Sequence, residues 1–188
     1  MSDRITYIHD EPTRFTTFAL GRPGEREFFI HVESAQGATT IACEKSQVIA
    51  LSERFSELIT ELRRARLVDT QLLLRPPVKD SGDISFPVVE DFTAGVMGIA
   101  WEESTSRVQV EIQGFGDGTI IDLINDSQSI TLEDPPEIMR TYLTIAQLRG
   151  FINTASELSN SGRKPCMFCG LPIDPQGHLC PRANGYRR

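Results

Sequence analysis

A short run near the C-terminal end, Cys166 to Cys180 in the order CMFCGLPIDPQGHLC, constrains this chain more than any other stretch. Cys166 and Cys169 are separated by two residues and followed by Gly170, so a tight turn can aim both sulfurs at one point. His178 and Cys180 come next, and Pro172, Pro175 and Gly177 bend the chain back between the two pairs. Three thiolates and one imidazole make a closed Cys3His tetrahedron, the donor set of structural zinc. The other common use of CxxC, a redox dithiol, needs a βαβ setting and a helix opening at the first cysteine. Pro165, Pro172 and Pro175 keep an ordinary helix out of this segment. His178 and Cys180 have one residue between them, where zinc ribbons usually have two or more, so iron or a ligand from elsewhere, such as Cys43, stays open. Four protein ligands leave no position for water or substrate, and the expected role is in folding, not catalysis.

The charge is divided along the chain. Of a net −7, residues 161–188 hold Arg163, Lys164, Arg182, Arg187 and Arg188 against Asp174, a local +4, which leaves −11 on the first 160 residues. A basic tail is thus appended to an acidic body, and an acidic body argues against nucleic acid as its partner, since phosphate binding needs clustered Lys and Arg. The first residues, MSDRITYIHDEPTRF, contain no apolar signal region, and no apolar run is long enough to span a bilayer. Three cysteines in a metal-like cluster, with Cys43 alone, suit a reducing compartment better than a disulfide framework, so the expected location is cytoplasmic.

Taken in order, 14–21 and 25–34 read as two strands around the Arg22-Pro23-Gly24 turn. In the second, Phe28, Ile30 and Val32 share one face and Phe29 and His31 the other, which makes His31 a strand histidine before it is a ligand. A third strand covers 38–43. Ser46 is the expected N-cap of a helix to about Arg66, with Val48, Leu51, Phe55, Leu58 and Leu62 as its apolar stripe. Residues 67–90 form a proline-containing connector with β-like pieces at 72–74 and 84–89. A strand follows at 92–101, where Gly95 and Gly98 suggest a bulge or a close backbone approach. Residues 107–114 alternate cleanly, with Val108, Val110 and Ile112 inward. Residues 117–137 carry six acidic side chains and no basic one and read as an insertion. A strand at 138–143 leads to Thr144 and Gln147, a capping-box pattern that opens a helix from Ile145 to about Ser159.

The two helical segments align at an offset of one hundred without a gap, EKSQVIALSERFSEL over TIAQLRGFINTASEL, sharing Gln47 with Gln147 and Ser-Glu-Leu at 56–58 with 156–158. With the shared strand order, this predicts an α+β protein made of two βββα repeats, each with antiparallel strands covered by a helix, packed about a pseudo-twofold axis. The expected organisation is 1–66 for the first repeat, 67–90 for the connector, 91–160 for the second repeat with its acidic insertion at 117–137, and 161–188 for the zinc tail. By element order alone this architecture resembles the Pur-alpha and Whirly single-strand binders, although their sheets are basic and carry exposed aromatics.

The whole chain, and most specifically GRKPCMFCGLPIDPQGHLCPRANGYRR from Gly162 to Arg188, resembles a family of uncharacterised proteins, a domain of unknown function, from actinobacteria. The resemblance implies full-length coverage, the Cys166, Cys169, His178, Cys180 pattern and the closing PRANGYR, and it brings no activity with it. It also implies genes encoded near a histidine phosphatase and a protein of lipid-kinase-like fold, an association and not a mechanism.

No Ser-His-Asp set, HExxH, P-loop or dinucleotide fingerprint is present in the sequence. The reading that follows is a non-enzymatic, zinc-stabilised interaction or adaptor protein whose partner is another protein. Arg182, Tyr186, Arg187 and Arg188 are the candidate partner-binding residues, offering guanidinium forks and an aromatic ring either to an acidic surface in trans or to the acidic body in cis. A single-stranded nucleic-acid binder with Pur-alpha/Whirly-like units, and an enzyme with a cleft between the repeats, are the alternatives.

Overall fold

The computed structural model describes residues 5–22, 24–80, 82–84, 86–115, 136–160, 166–169, 173, 180 and 182. Seven strands and three helices occur among them: β1 (Thr6–His9), β2 (Arg14–Leu20), β3 (Glu27–Ser34), β4 (Gly37–Cys43), α1 (Lys45–Ala65), α2 (Thr70–Leu74), β5 (Phe92–Glu102), β6 (Arg107–Gly114), β7 (Ile138–Leu143) and α3 (Ile145–Asn160). The strands form one mixed sheet in the order β1-β7-β6-β5-β4-β3-β2. Within each βββα segment the pairing is antiparallel, as expected. The parallel pairs β4 with β5 and β7 with β1 join the segments, and nothing local in the sequence signals them.

The sheet cannot be flat. Seven strands at their usual spacing span about 29 Å, yet β1 and β2, at opposite ends of the order, are joined by residues 10–13 alone. The five steps from His9 to Arg14 reach at most about 18 Å even when fully extended. The sheet therefore curls until its ends approach. Every residue of the link is fastened. Arg107 donates to the Asp10 carbonyl at 3.4 Å and to Glu11 at 3.1 Å, Gln147 Nε2 donates to the Pro12 carbonyl at 2.7 Å, and the Thr13 N–H donates to the Glu33 carbonyl at 2.8 Å.

Curling is helped at β5. Its first residues pair with β4 and the rest with β6, and the register shifts between Ala94 and Val96. A Cβ on Gly95, inside the shift, would lie 3.1 Å from the Gly114 carbonyl oxygen, so the anticipated bulge sits there. Gly98, in contrast, has open space around it.

One face of the sheet and both long helices make a single core. Ile30, Val32, Ile41, Val108, Val110, Ile112, Met139 and Leu143 point into it, and α1 supplies its predicted stripe of Val48, Leu51, Phe55, Leu58 and Leu62. Phe15, Phe55 and Phe151 join β2, α1 and α3 in one aromatic cluster, with ring centroids 5.2 to 6.3 Å apart. His9 is buried at the end of β1, with Nδ1 2.6 Å from Ser34 Oγ and Nε2 2.8 Å from Thr39 Oγ1. Burial pushes its pKa down, so the ring there is held in its neutral form near pH 7.

Three local expectations change. Helix α1 begins at Lys45 with Glu44, not Ser46, as N-cap, because Gln47 Oε1 reaches back to the Glu44 N–H at 2.8 Å and closes a capping box two residues earlier. Residues 72–74 belong to α2 and not to a strand, since the Asp69 side chain accepts from the Gln71 N–H at 2.8 Å and starts a helical turn. Residues 84–89 form no strand among the described residues, and Pro87 has no N–H to give a ladder. The insertion read at 117–137 falls outside the described residues up to 135.

After α2 the connector crosses α3 as a strap. The Val78 N–H donates to the Ala146 carbonyl at 3.0 Å, and Arg149 Nη1 donates to the Leu73 and Arg75 carbonyls at 3.0 and 2.7 Å. The crossing requires Gly150, since a Cβ there would overlap the Val78 carbonyl oxygen. In a free helix, Gly150→Ala would stabilise by about 1 kcal/mol. Here overpacking against a fixed strap costs roughly 1–3 kcal/mol and prevails. Urea denaturation of Gly150→Ala is expected to show a lower midpoint than the parent; an equal or higher midpoint would mean that the strap does not lie on α3.

Candidate metal centre

The knuckle expected at 166–169 forms a tight turn, with Cys166 and Cys180 buried and Cys169 half-buried. The sulfurs of Cys166, Cys169 and Cys180 lie within 4.8 Å of one another, and none is in a disulfide. Cys166 Sγ and Cys180 Sγ are 3.7 Å apart. Sulfurs bound about 2.3 Å from a tetrahedral ion would be about 3.8 Å apart, which the Cys166–Cys180 pair matches, and Cys169 lies close enough to share an ion with them. The Phe168 N–H, 3.4 Å from Cys166 Sγ, and the Cys169 N–H help hold the Cys166 thiol down to about 7, which favours the thiolate a metal binds. These three cysteines can bind a metal ion.

His178, the fourth ligand expected from the spacing, lies outside the described residues, as do Tyr186, Arg187 and Arg188. Arg182 is described. Its Nη1 donates to the Phe168 carbonyl at 3.1 Å, so the guanidinium is fastened to the metal knuckle itself. Cys43 stands apart from the cluster on β4, against the core, where burial pushes its thiol up to about 12. Burial therefore disfavours its thiolate, and among the described residues it is not part of the cluster.

A second polar assembly, on the outer face of β2, β3 and β4, has no signature in the sequence. Arg14 Nε and Nη2 donate to Asp80 at 2.8 and 3.1 Å, Arg14 Nη1 donates to Glu33 Oε1 at 2.9 Å, and Arg14 Nη2 donates to the Gly82 carbonyl at 2.6 Å. Glu33 also lies 2.8 Å from His31 Nε2, and His31 Nδ1 is 2.8 Å from Thr40 Oγ1. The hydrogen bond from His31, followed by those from Arg14, holds the Glu33 carboxyl below its ordinary range despite partial burial. Burial alone would raise Asp80, but the Arg14 hydrogen bonds outweigh it and hold the carboxyl low. Each polar group is satisfied by another, so the assembly is a brace that ties the strap to the sheet, and His31 keeps the strand role expected of it.

Alkylation tests the cluster. In metal-free protein Cys166, Cys169 and Cys180 are expected to label, whereas one equivalent of a divalent ion slows all three by at least about tenfold. The protection should fade as the pH falls below 7, where protons compete for Cys166. Labelling that is indifferent to metal would rule the centre out.

A profile of the family described as "Protein of unknown function (DUF3090)" matches residues 7–180, a span from β1 to the last cysteine of the cluster. No curated protein matches the chain, and no solved structure does. Among the described residues no helix is long and apolar enough to cross a membrane. With its sheet, both long helices and the cysteine cluster inside the matched span, the chain belongs to the DUF3090 family of proteins of unknown function.

Proposed function

We propose that this protein is a non-enzymatic interaction or adaptor protein in which a structural zinc ion holds a basic tail ready for an acidic partner protein. The observation that supports this reading most is the gathering of three thiols at the sulfur spacing of a tetrahedral ion. Zinc suits a set of three thiolates completed by the imidazole of His178 better than the harder divalent ions do. A centre closed by four protein ligands organises chain and performs no chemistry, which accords with the absence of a nucleophile–base pair from the motifs of the sequence.

The tail adds charge to that rigid base. Arg182 is anchored to the Phe168 carbonyl, and Arg187, Arg188 and Tyr186 follow it in sequence. Arginine forks pair with carboxylates bidentately, so the favoured partner surface is rich in Asp and Glu. The nucleic-acid alternative draws less support. Phe18 and Phe29 stack on the outer sheet face at 5.1 Å, but Phe29 is only 4% exposed, and the Glu33 carboxylate follows on the same face. That is a poor platform for a base beside a phosphate.

Affinity capture from the native cell, comparing the parent with the double variant Arg187→Gln, Arg188→Gln, tests the reading. The expected outcome is loss of one specific acidic protein with an unchanged melting temperature. A lowered melting temperature with the captured set unchanged would show that the tail braces its own body.

A further inference from the structure

One side chain joins the two halves of the metal centre. Cys166 and Cys169 belong to the knuckle, whereas Cys180 comes 14 residues after Cys166. Arg182 follows Cys180 by two residues. Its Nη1 donates to the Phe168 carbonyl, inside the knuckle, at 3.1 Å. This bond runs between protein groups and links the segment that carries the last thiol to the segment that carries the first two.

The acceptor is part of a peptide group that also touches a candidate ligand. The Phe168 carbonyl and the Cys169 N–H belong to the same planar unit, and in a trans peptide they point in opposite directions. The Cys169 N–H, like the Phe168 N–H before it, donates to the Cys166 sulfur. Arg182 and Cys166 therefore hold the two sides of one rigid plane, and a rotation that freed the carbonyl would turn the N–H away from the sulfur. The side chains at the tip do not fix this turn: Met167 is 87% exposed and Phe168 57%, and neither belongs to the core.

The charge of Arg182 acts in the same sense as its geometry. Three thiolates and a neutral imidazole around a divalent ion leave one net negative charge. No carboxylate among the described residues pairs with the Arg182 guanidinium. A cation on the carbonyl polarises the peptide and strengthens the bond that its N–H makes to a thiolate.

We infer that Arg182 is a positioning residue of the metal centre: through the peptide between Phe168 and Cys169 it orients the knuckle toward the ion and ties the Cys180 segment to it. Groups that hold a ligand without being one commonly set metal affinity by a factor of about 10 to 100. The inference rests on the metal reading of the cysteines. It gives Arg182 a task separate from that of Tyr186, Arg187 and Arg188, which keep the partner-facing role proposed for them.

Divalent cobalt is the probe, since sulfur-to-cobalt charge transfer reports thiolates bound to the ion, and it is titrated into reduced, metal-free, full-length protein. Arg182→Met, which keeps a stem but has no donor, is expected to bind cobalt at least about tenfold more weakly than the parent. Arg182→Lys, which restores a charged donor, should recover part of the loss. Arg188→Met, which removes the same charge further along the tail, should bind as the parent does. The described residues of the tail lie outside the core cluster, so the body stays folded in each variant. Equal affinity of the parent and Arg182→Met, an equal loss with Arg188→Met, or no recovery with Arg182→Lys would overturn the inference while leaving the centre in place. A parent that shows no charge transfer would overturn the centre and the inference together.

Discussion

The architecture depends on a link of four residues. Because 10–13 must join the two ends of a seven-stranded order, the sheet has to curl until its ends approach, and the remaining features follow from that curl. A curled sheet has a concave side that only helices can fill, and α1 and α3 fill it together through Phe55 and Phe151. Each βββα segment alone would bury a smaller share of its surface than the two do together. The shared aromatic cluster makes one cooperative body of them.

The link is held as firmly as it is short. Arg107 of β6 and Gln147 of α3 both grip its carbonyls, so a strand and a helix distant in sequence are tied to the link between the two ends of the sheet. Gln147 has a second role, accepting the Thr144 N–H at 2.9 Å to cap its helix. The same side chain thus starts α3 and positions it against β2, and Gln47 does the same for α1 against β5. An amide is suited to this double task because it presents an acceptor and two donors at once.

Periodicity carried much of this into the sequence. The alternation of Val108, Val110 and Ile112 and the stripe from Val48 to Leu62 are local patterns, and each marks its buried face correctly. The elements that escaped are those defined by distant partners. β1 has four residues, too few for a pattern, and exists because Thr6 to His9 pairs with Ile138 to Thr141. Leu72 to Leu74 has no period at all, and its conformation is decided by a cap at Asp69. The bond of Arg14 to Asp80 spans 66 residues, and neither residue type nor spacing announces it. The cysteine cluster is the opposite case. CxxC fixes two sulfurs by local geometry, and the structure brings Cys180, which the spacing also named, to them, so the candidate centre was legible where the brace was not.

The two ends of the account meet at the metal. In the adaptor reading proposed above, a centre closed by four protein ligands beside Arg182 presents charge to a partner without reaction. Everything assigned to the tail rests on that centre being saturated by protein ligands. X-ray absorption at the zinc edge of protein purified without added metal measures this directly. The predicted shell is three sulfurs at about 2.3 Å and one nitrogen at about 2.0 Å. A shell containing a water oxygen, or protein that holds no zinc, would contradict the account.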